Sequence, residues 1–131
     1  MNQLEDFDPW LKLKKKLHFQ SKKRILFKER EVWWCHIGQN IGWEENGKHN
    51  PYERPVLILK KYTNELFFGI PLSSQKHVGT FFYQFSEKDC ALLNQGRTLS
   101  ARRLERRLMT IPDPIFETIY EKFDTLNKPR K

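Results

Sequence analysis

Val32-Trp33-Trp34-Cys35-His36-Ile37-Gly38, then Arg54-Pro55-Val56-Leu57-Ile58-Leu59-Lys60, then Phe67-Phe68-Gly69-Ile70-Pro71-Leu72-Ser73-Ser74: the reading of these three runs decides the fold. Each is short, rich in β-branched and aromatic residues, and bounded by glycine, proline or small polar residues, which is the composition of strands. Glu31 to Ile37 forms the first strand, and because side chains alternate along a strand, one of Trp33 and Trp34 faces inward and the other outward or into a partner. Gly38 to Tyr52 is too long for a simple hairpin, and loops of that length in a small domain tend to be functional or mobile. Arg54 to Lys61 is the second strand, with Pro55 tolerated at its start. Tyr62 to Glu65 turns the chain into a third strand, Leu66 to Leu72, and Gly79 to Phe85 reads as a fourth.

Working outward, Ser86 to Asp89 makes a polar turn and Ala91 to Thr98 a short fifth strand. Ser100 to Met109 reads as helical by composition, with Leu104 and Leu108 four apart among arginines. Pro112 to Leu126 gives a last helix whose apolar stripe is Ile115, Ile119, Phe123 and Leu126. At the other end, Asp8-Pro9 is a helix start, and Trp10, Leu13 and Leu17 follow at helical spacing with Lys12, Lys14, Lys15 and Lys16 on the other faces. A basic connector, Ser21 to Lys28, leads into the strands. The expected fold is α+β, mainly β with helices. It is an SH3-like small barrel of about five antiparallel strands with closing C-terminal helices and an extra N-terminal helix. Residues 1–28 form a helical, basic extension and 29–131 the main domain.

The chain has 131 residues, enough for one core but not two. With 24 Lys and Arg against 16 Asp and Glu, the formal net charge of +8 draws polyanions to the surface. The two cysteines, Cys35 and Cys90, have neither zinc spacing nor a secretory context, so both are expected as buried free thiols. No apolar run approaches a membrane span, and no apolar leader segment opens the chain, so a cytoplasmic protein without a membrane or metal partner is expected.

Three groups carry candidate chemistry. Arg54 is fixed at a strand start beside the long loop, where a permanently charged fork suits clamping a phosphate, although the residues alone favour a structural salt bridge to Glu44 or Glu53. Ser73 and Ser74 end the third strand next to where the second begins, if the two pair as a hairpin; a hydroxyl there can donate to a phosphate oxygen or orient a sugar. Glu44 and Glu45 lie on the loop, where carboxylates are usually solvated charge. His77, after Ser74, is the histidine nearest this place and a candidate for proton transfer. Gly38 and Gly42 do not make a nucleotide-binding loop, because no Lys-Ser or Lys-Thr follows. Cations interleave with aromatics, as in surfaces that hold unpaired bases and phosphates, and the loop residues Trp43 and Tyr52, with Lys48 and Lys76 nearby, are placed at such a strand.

In order and spacing these motifs resemble the MazF/PemK family of toxin endoribonucleases, from about Glu31 to Ile111. Glu31-Val32-Trp33-Trp34-Cys35-His36-Ile37-Gly38 is like that family's opening strand, and Gly42-Trp43-Glu44 with Arg54-Pro55-Val56-Leu57-Ile58-Leu59 resembles its G-x-E and R-P-V-L-V-L elements. Pro71-Leu72-Ser73-Ser74 looks like P-L-T-S, and Leu93-Asn94-Gln95-Gly96-Arg97-Thr98-Leu99-Ser100 resembles L-x-Q-x-R-T-I-D. The resemblance implies a dimeric barrel that cuts single-stranded RNA without metal or cofactor. The 2′-hydroxyl would attack to leave a 2′,3′-cyclic phosphate and a 5′-hydroxyl, and a cognate antitoxin would cover the groove. It implies Arg54, Ser73 and Glu44 as catalytic residues, with Trp43, Lys48, Tyr52, Ser74, Lys76, His77 and Arg97 at the RNA. Three departures stand out: Ser73 replaces threonine, Ser100 stands where the pattern has Asp, and Asn94 occupies the place of a carboxylate base in the PemK branch. With that base missing, the alternatives are a non-catalytic RNA-binding module on the same barrel or a protein poison of the gyrase-binding kind.

Overall fold

The structure is a computed structural model that describes residues 3–20, 25–47 and 52–130. Its elements are α1 (Gln3–Phe19), β1 (Glu31–His36), β2 (Glu53–Lys61), β3 (Leu66–Ser73), β4 (Phe82–Gln84), β5 (Cys90–Leu92), β6 (Arg97–Ser100), β7 (Leu104–Thr110) and α2 (Asp113–Leu126). The seven strands are antiparallel and run in the order β4-β5-β3-β2-β1-β7, with β6 joining through β3. The fold is therefore α+β as expected, with more strands than the sequence showed.

Three segments differ from the sequence reading. Ser100 to Met109 is not a helix: Ala101–Arg103 makes one 3₁₀ turn, and Leu104–Thr110 is an edge strand paired with β1. Only Leu104 of its leucine pair is buried; Leu108 stays exposed, so no helical stripe exists, and the open edge of β1 supplies the backbone partners instead. The fifth strand is broken into β5 and β6 by a 3₁₀ turn at Leu93–Gln95. The first helix begins at Gln3 rather than Asp8, so Pro9 lies inside it and one helical hydrogen bond is forfeited. Burial of Trp10 and Leu17 against the rest of the molecule offsets that loss.

The core lies on both faces of the central strand. Along β2, Val56 and Ile58 join Trp33, Cys35, Phe67, Leu99 and Leu104 on one side. Leu57 and Leu59 join Val32, Ile70, Leu72 and Leu93 on the other, under α2. Strict alternation over two buried faces is what makes this run read as continuously apolar. Within α2, Ile119 is fully buried and Ile115, Phe123 and Leu126 pack beside it, the stripe expected from the sequence. Ser100 resolves one departure from the family pattern, since its hydroxyl accepts from the Arg102 N–H and caps the 3₁₀ turn, a task an Asp performs equally well.

Trp33 is the inward tryptophan of β1, and its Nε1 donates to Glu31 Oε1 at 3.1 Å. The same buried carboxylate accepts from the Lys28 backbone N–H at 2.8 Å and from Arg107 Nη1 at 3.2 Å. Burial pushes the Glu31 carboxyl up, but the hydrogen bonds from Trp33, Lys28 and Arg107, with the arginine's charge, outweigh it and hold the group below its ordinary 4.5. A carboxyl lowered on folding stabilises the fold above its unfolded pKa, and that contribution disappears as pH falls through the folded value. Glu31→Gln should therefore cost about 1–3 kcal/mol at pH 7. Urea titrations should show the gap between the two proteins closing as the pH drops below 4.5.

Candidate functional site

Continuing the β2–β3 register, Val56 opposite Pro71, brings Arg54 beside Ser73 at one end of the hairpin. Both line a small cleft of about 130 Å³ together with Trp34, Glu53, Ser74 and Lys88. The pairing expected from the sequence is thus present. The arginine itself is deeply buried, with Arg54 only 4% exposed. Its Nε donates to the Asn46 carbonyl at 2.9 Å and Nη1 to the Leu72 carbonyl at 3.1 Å. Nη2 stands 2.7 Å from Glu45 Oε2. That contact neutralises the charge, although its geometry does not make a well-formed hydrogen bond from Nη2 among the described residues. Burial lowers the guanidinium's affinity for its proton and Glu45 raises it again; an arginine nonetheless keeps its charge.

The carboxylate that meets Arg54 is Glu45, not its neighbour. Glu44 Oε1 accepts from the Ile41 N–H at 3.0 Å and closes a turn of the loop. Both glutamates line a second, larger cleft of about 400 Å³ with Asn40, Asn94, Gln95 and Arg97. The Arg54–Glu45 ion pair therefore stands between the two clefts. Gln95 straps the loop to the far wall, its Oε1 accepting from the Glu45 N–H at 3.2 Å and its Nε2 donating to the Trp43 carbonyl at 3.1 Å. Arg97 Nη1 reaches Asn40 Oδ1 at 3.4 Å.

The loop's two ends are fixed by the N-terminal helix. Gly38 has φ +77°, and a Cβ there would overlap the Trp10 indole, so only glycine fits. Its N–H donates to the Tyr52 carbonyl at 3.2 Å and its carbonyl accepts from the Gly47 N–H at 2.8 Å. Tyr52 packs on Trp10 with ring centres 5.6 Å apart. Arg103 lies over the same indole and donates to the His36 carbonyl at 3.1 Å.

Of the other candidate residues, Trp43 is 97% exposed at the loop tip, and Lys76 is exposed after Ser74. Tyr52 is turned toward Trp10 and half-buried. Lys48 lies outside the described residues. His77 Nε2 comes within 3.2 Å of Ser73 Oγ. Trp34, the outward tryptophan of β1, lines the Arg54 cleft beneath the Arg106 guanidinium, 5.0 Å from its ring centre. Neither Trp34 nor Lys88 was singled out for the site from the sequence, although the adjacent Trp33-Trp34 pair required one ring to face away from the core. Cys35 and Cys90 are buried and form no disulfide with one another. No three His, Cys, Asp or Glu side chains among the described residues converge as metal ligands, and no helix among them is long and apolar enough to cross a membrane.

The fold is shared with several solved structures. An endoribonuclease from a Mycobacterial species, solved in complex with its cognate antitoxin, superposes with a TM-score of 0.62 at 14% identity, covering 81% of this chain and 100% of that one. MazF from Deinococcus radiodurans gives 0.62 at 18% identity, covering 78% and 96%. The MazE–MazF complex of the same organism gives 0.61 at 15%, covering 78% and 95%. At such identities these likenesses speak to the fold. No curated protein matches the sequence. The model of the PemK-like, MazF-like toxins of type II toxin–antitoxin systems matches residues 28–126, most of the chain, and the chain belongs to that family.

Because α1 lies before the family match yet holds both ends of the loop, Trp10→Ala should free the loop without unfolding the sheet. Loss of that burial, about 2 kcal/mol, should speed amide exchange at Gly38 and Gly47 by roughly 10- to 30-fold, with Leu57 and Ile70 unchanged.

Proposed function

We propose that this toxin is a metal-independent endoribonuclease that cleaves single-stranded RNA by attack of a 2′-hydroxyl on the adjacent phosphorus. The observation that carries the reading is the buried Arg54 guanidinium, which shares a cleft with the Ser73 hydroxyl. A desolvated guanidinium is a strong anion site, because its field is little screened. A phosphate would take the place of the Glu45 carboxylate, so binding requires the strapped loop to yield at Glu45. Arg54 would then neutralise the charge that builds on the non-bridging oxygens as the 2′-oxygen attacks, while Ser73 aligns the reacting sugar and phosphate. The products are a 2′,3′-cyclic phosphate and a 5′-hydroxyl.

The larger cleft, with Glu44, Asn94, Gln95 and Arg97, would take the flanking nucleotide, and the exposed Trp43 offers a face on which a base can stack. Lys76, Ser74 and His77 extend the path on the other side of Ser73, and Lys48 and Tyr52 remain candidates where the loop returns. We further place the enzyme in the cytoplasm as a homodimer whose groove is covered by a cognate antitoxin; the endoribonuclease from a Mycobacterial species and the Deinococcus radiodurans MazF were each solved with such a partner. Residues 28–126 match the family, and residues 1–28 are read as an extension to a catalytic domain at 29–131.

Incubation of the purified protein with long single-stranded RNA in excess EDTA should give discrete fragments with cyclic-phosphate ends. RNA that stays intact but shifts on a gel would favour a binding module, and neither cleavage nor shift would point to a protein target. Arg54→Lys keeps the charge but loses the fork, and should reduce cleavage by about 10²–10³-fold. Arg54→Ala should abolish it and also destabilise the protein, since the Asn46 and Leu72 carbonyls and Glu45 would lose their partner. Thermal melts of both variants separate the two effects.

A further inference from the structure

A serine hydroxyl has one proton to give and two lone pairs to fill. At Ser73 the Gln75 backbone N–H donates to Oγ at 3.1 Å, which occupies one lone pair. His77 Nε2 lies 3.2 Å from the same oxygen. The imidazole is held firmly in that position: its ring stacks on Phe82 with centres 4.8 Å apart and planes 26° apart. Its backbone N–H points at the thiol of Cys90, the residue paired with Ser73 across β3 and β5. Two arrangements are then possible. With Nε2 unprotonated, Ser73 donates to it and presents its remaining lone pair to the cleft. With Nε2 protonated, the ring donates to Ser73, and the serine proton is free to be donated into the cleft.

Resting on the endoribonuclease reading above, we infer that Ser73 and His77 form a proton relay, in which His77 accepts, through the serine oxygen, the proton of the attacking 2′-hydroxyl. The 2′-O–H bond breaks as its proton joins Ser73 Oγ, and the serine's own proton passes to Nε2. The 2′-oxygen bonds to phosphorus and the bond to the 5′-oxygen breaks. That oxygen takes a proton from water, and the hydroxide so formed removes the proton from the imidazolium, restoring the enzyme. His77 is thus a positioning residue that acts through Ser73. It performs the task for which the PemK branch uses a carboxylate where Asn94 stands, and it does so from the Arg54 cleft rather than the larger one.

The charged and titratable groups around the pair are Arg54 and Glu53 from β2, and Lys88, Asp89 and Cys90 at the start of β5. Lys76 lies on the pair's own segment. Glu121 and Lys122 of α2 share a groove with Phe82. Arg54 and Lys88 supply positive charge beside the cleft, so an imidazole that must receive a proton gains nothing from them, and the relay works best with the phosphate bound and these charges neutralised.

The test combines single-turnover cleavage from roughly pH 5 to 8, where histidines ordinarily titrate, with an NMR titration of the His77 ring. Wild-type rates should climb with pH and level off. His77→Gln, which keeps a hydrogen-bonding group but cannot titrate, should lose about 10²–10⁴-fold at the plateau and lose the climb as well. Adding Ser73→Ala to it should cost no more than Ser73→Ala alone, since the two act as a unit. A His77→Gln variant that cleaves within about twofold of wild type with an unchanged pH profile would overturn the relay. The ring titration must also move in Ser73→Ala; an unmoved midpoint overturns the relay whatever the cleavage result. If wild type leaves RNA intact at every pH while the ring does respond to Ser73→Ala, the endoribonuclease reading falls and the relay's catalytic role with it, and only the Ser73–His77 hydrogen bond stands.

Discussion

The rest of the structure depends on a buried guanidinium. Arg54 sits at the start of a strand covered on both faces, and taking an unpaired charge out of water there would cost several kcal/mol. The fold meets that cost from three directions: the Leu72 carbonyl of the neighbouring strand, and the Asn46 carbonyl and Glu45 carboxylate of the long loop. Two of the three belong to a loop, and a loop holds partners in place only if it is itself tied down. Gln95 ties its middle to the turn between β5 and β6, and Trp10 closes over its ends. The shape of the loop, the straps across the larger cleft and the docking of α1 all serve to hold a charge in a place where water cannot.

Much of this frame was legible in the sequence because its periodicities are strong. The apolar Val56-Leu57-Ile58-Leu59 run reads as a strand and the stripe from Ile115 to Leu126 as a closing helix, and the structure has both. Where tertiary pairing overrides local composition, the reading failed. Leu104 to Thr110 has the arginines and leucine spacing of a helix, yet it lies on an open strand edge where all but Leu104 and the partly buried Met109 face solvent. The break between β5 and β6 follows from a turn that no punctuating residue announces before Gly96.

At the site, residue types were legible and contacts were not. Adjacent carboxylates at Glu44 and Glu45 are equivalent in composition, and only the curl of the loop decides that the first caps a turn and the second faces Arg54. The four-residue separation of Ser73 and His77 implies contact in a helix but nothing in a turn, so their hydrogen bond depends on how the segment after β3 folds back over Cys90 and Phe82. Tyr52 carried a signal that pointed to the surface, and its ring is instead engaged by a tryptophan from the N-terminal helix.

That helix changes the balance at the site. A buried arginine satisfied by its own loop is stable and also closed, because the carboxylate that neutralises it occupies the place that an anionic ligand of the proposed kind would need. The tighter the loop is held, the more of a ligand's binding energy goes into displacing Glu45, and the lower its apparent affinity becomes. Trp10 acts on the loop's ends rather than on Glu45 itself, so α1 can fix the hinge while leaving the carboxylate as the part that gives way. The arrangement stabilises the fold and sets a threshold for entry through one ion pair: an occupant must offer more to Arg54 than a single carboxylate does. On the reading proposed above, a phosphate flanked by bases would meet that condition, because it would bring several acceptor oxygens to the fork and further contacts along the larger cleft.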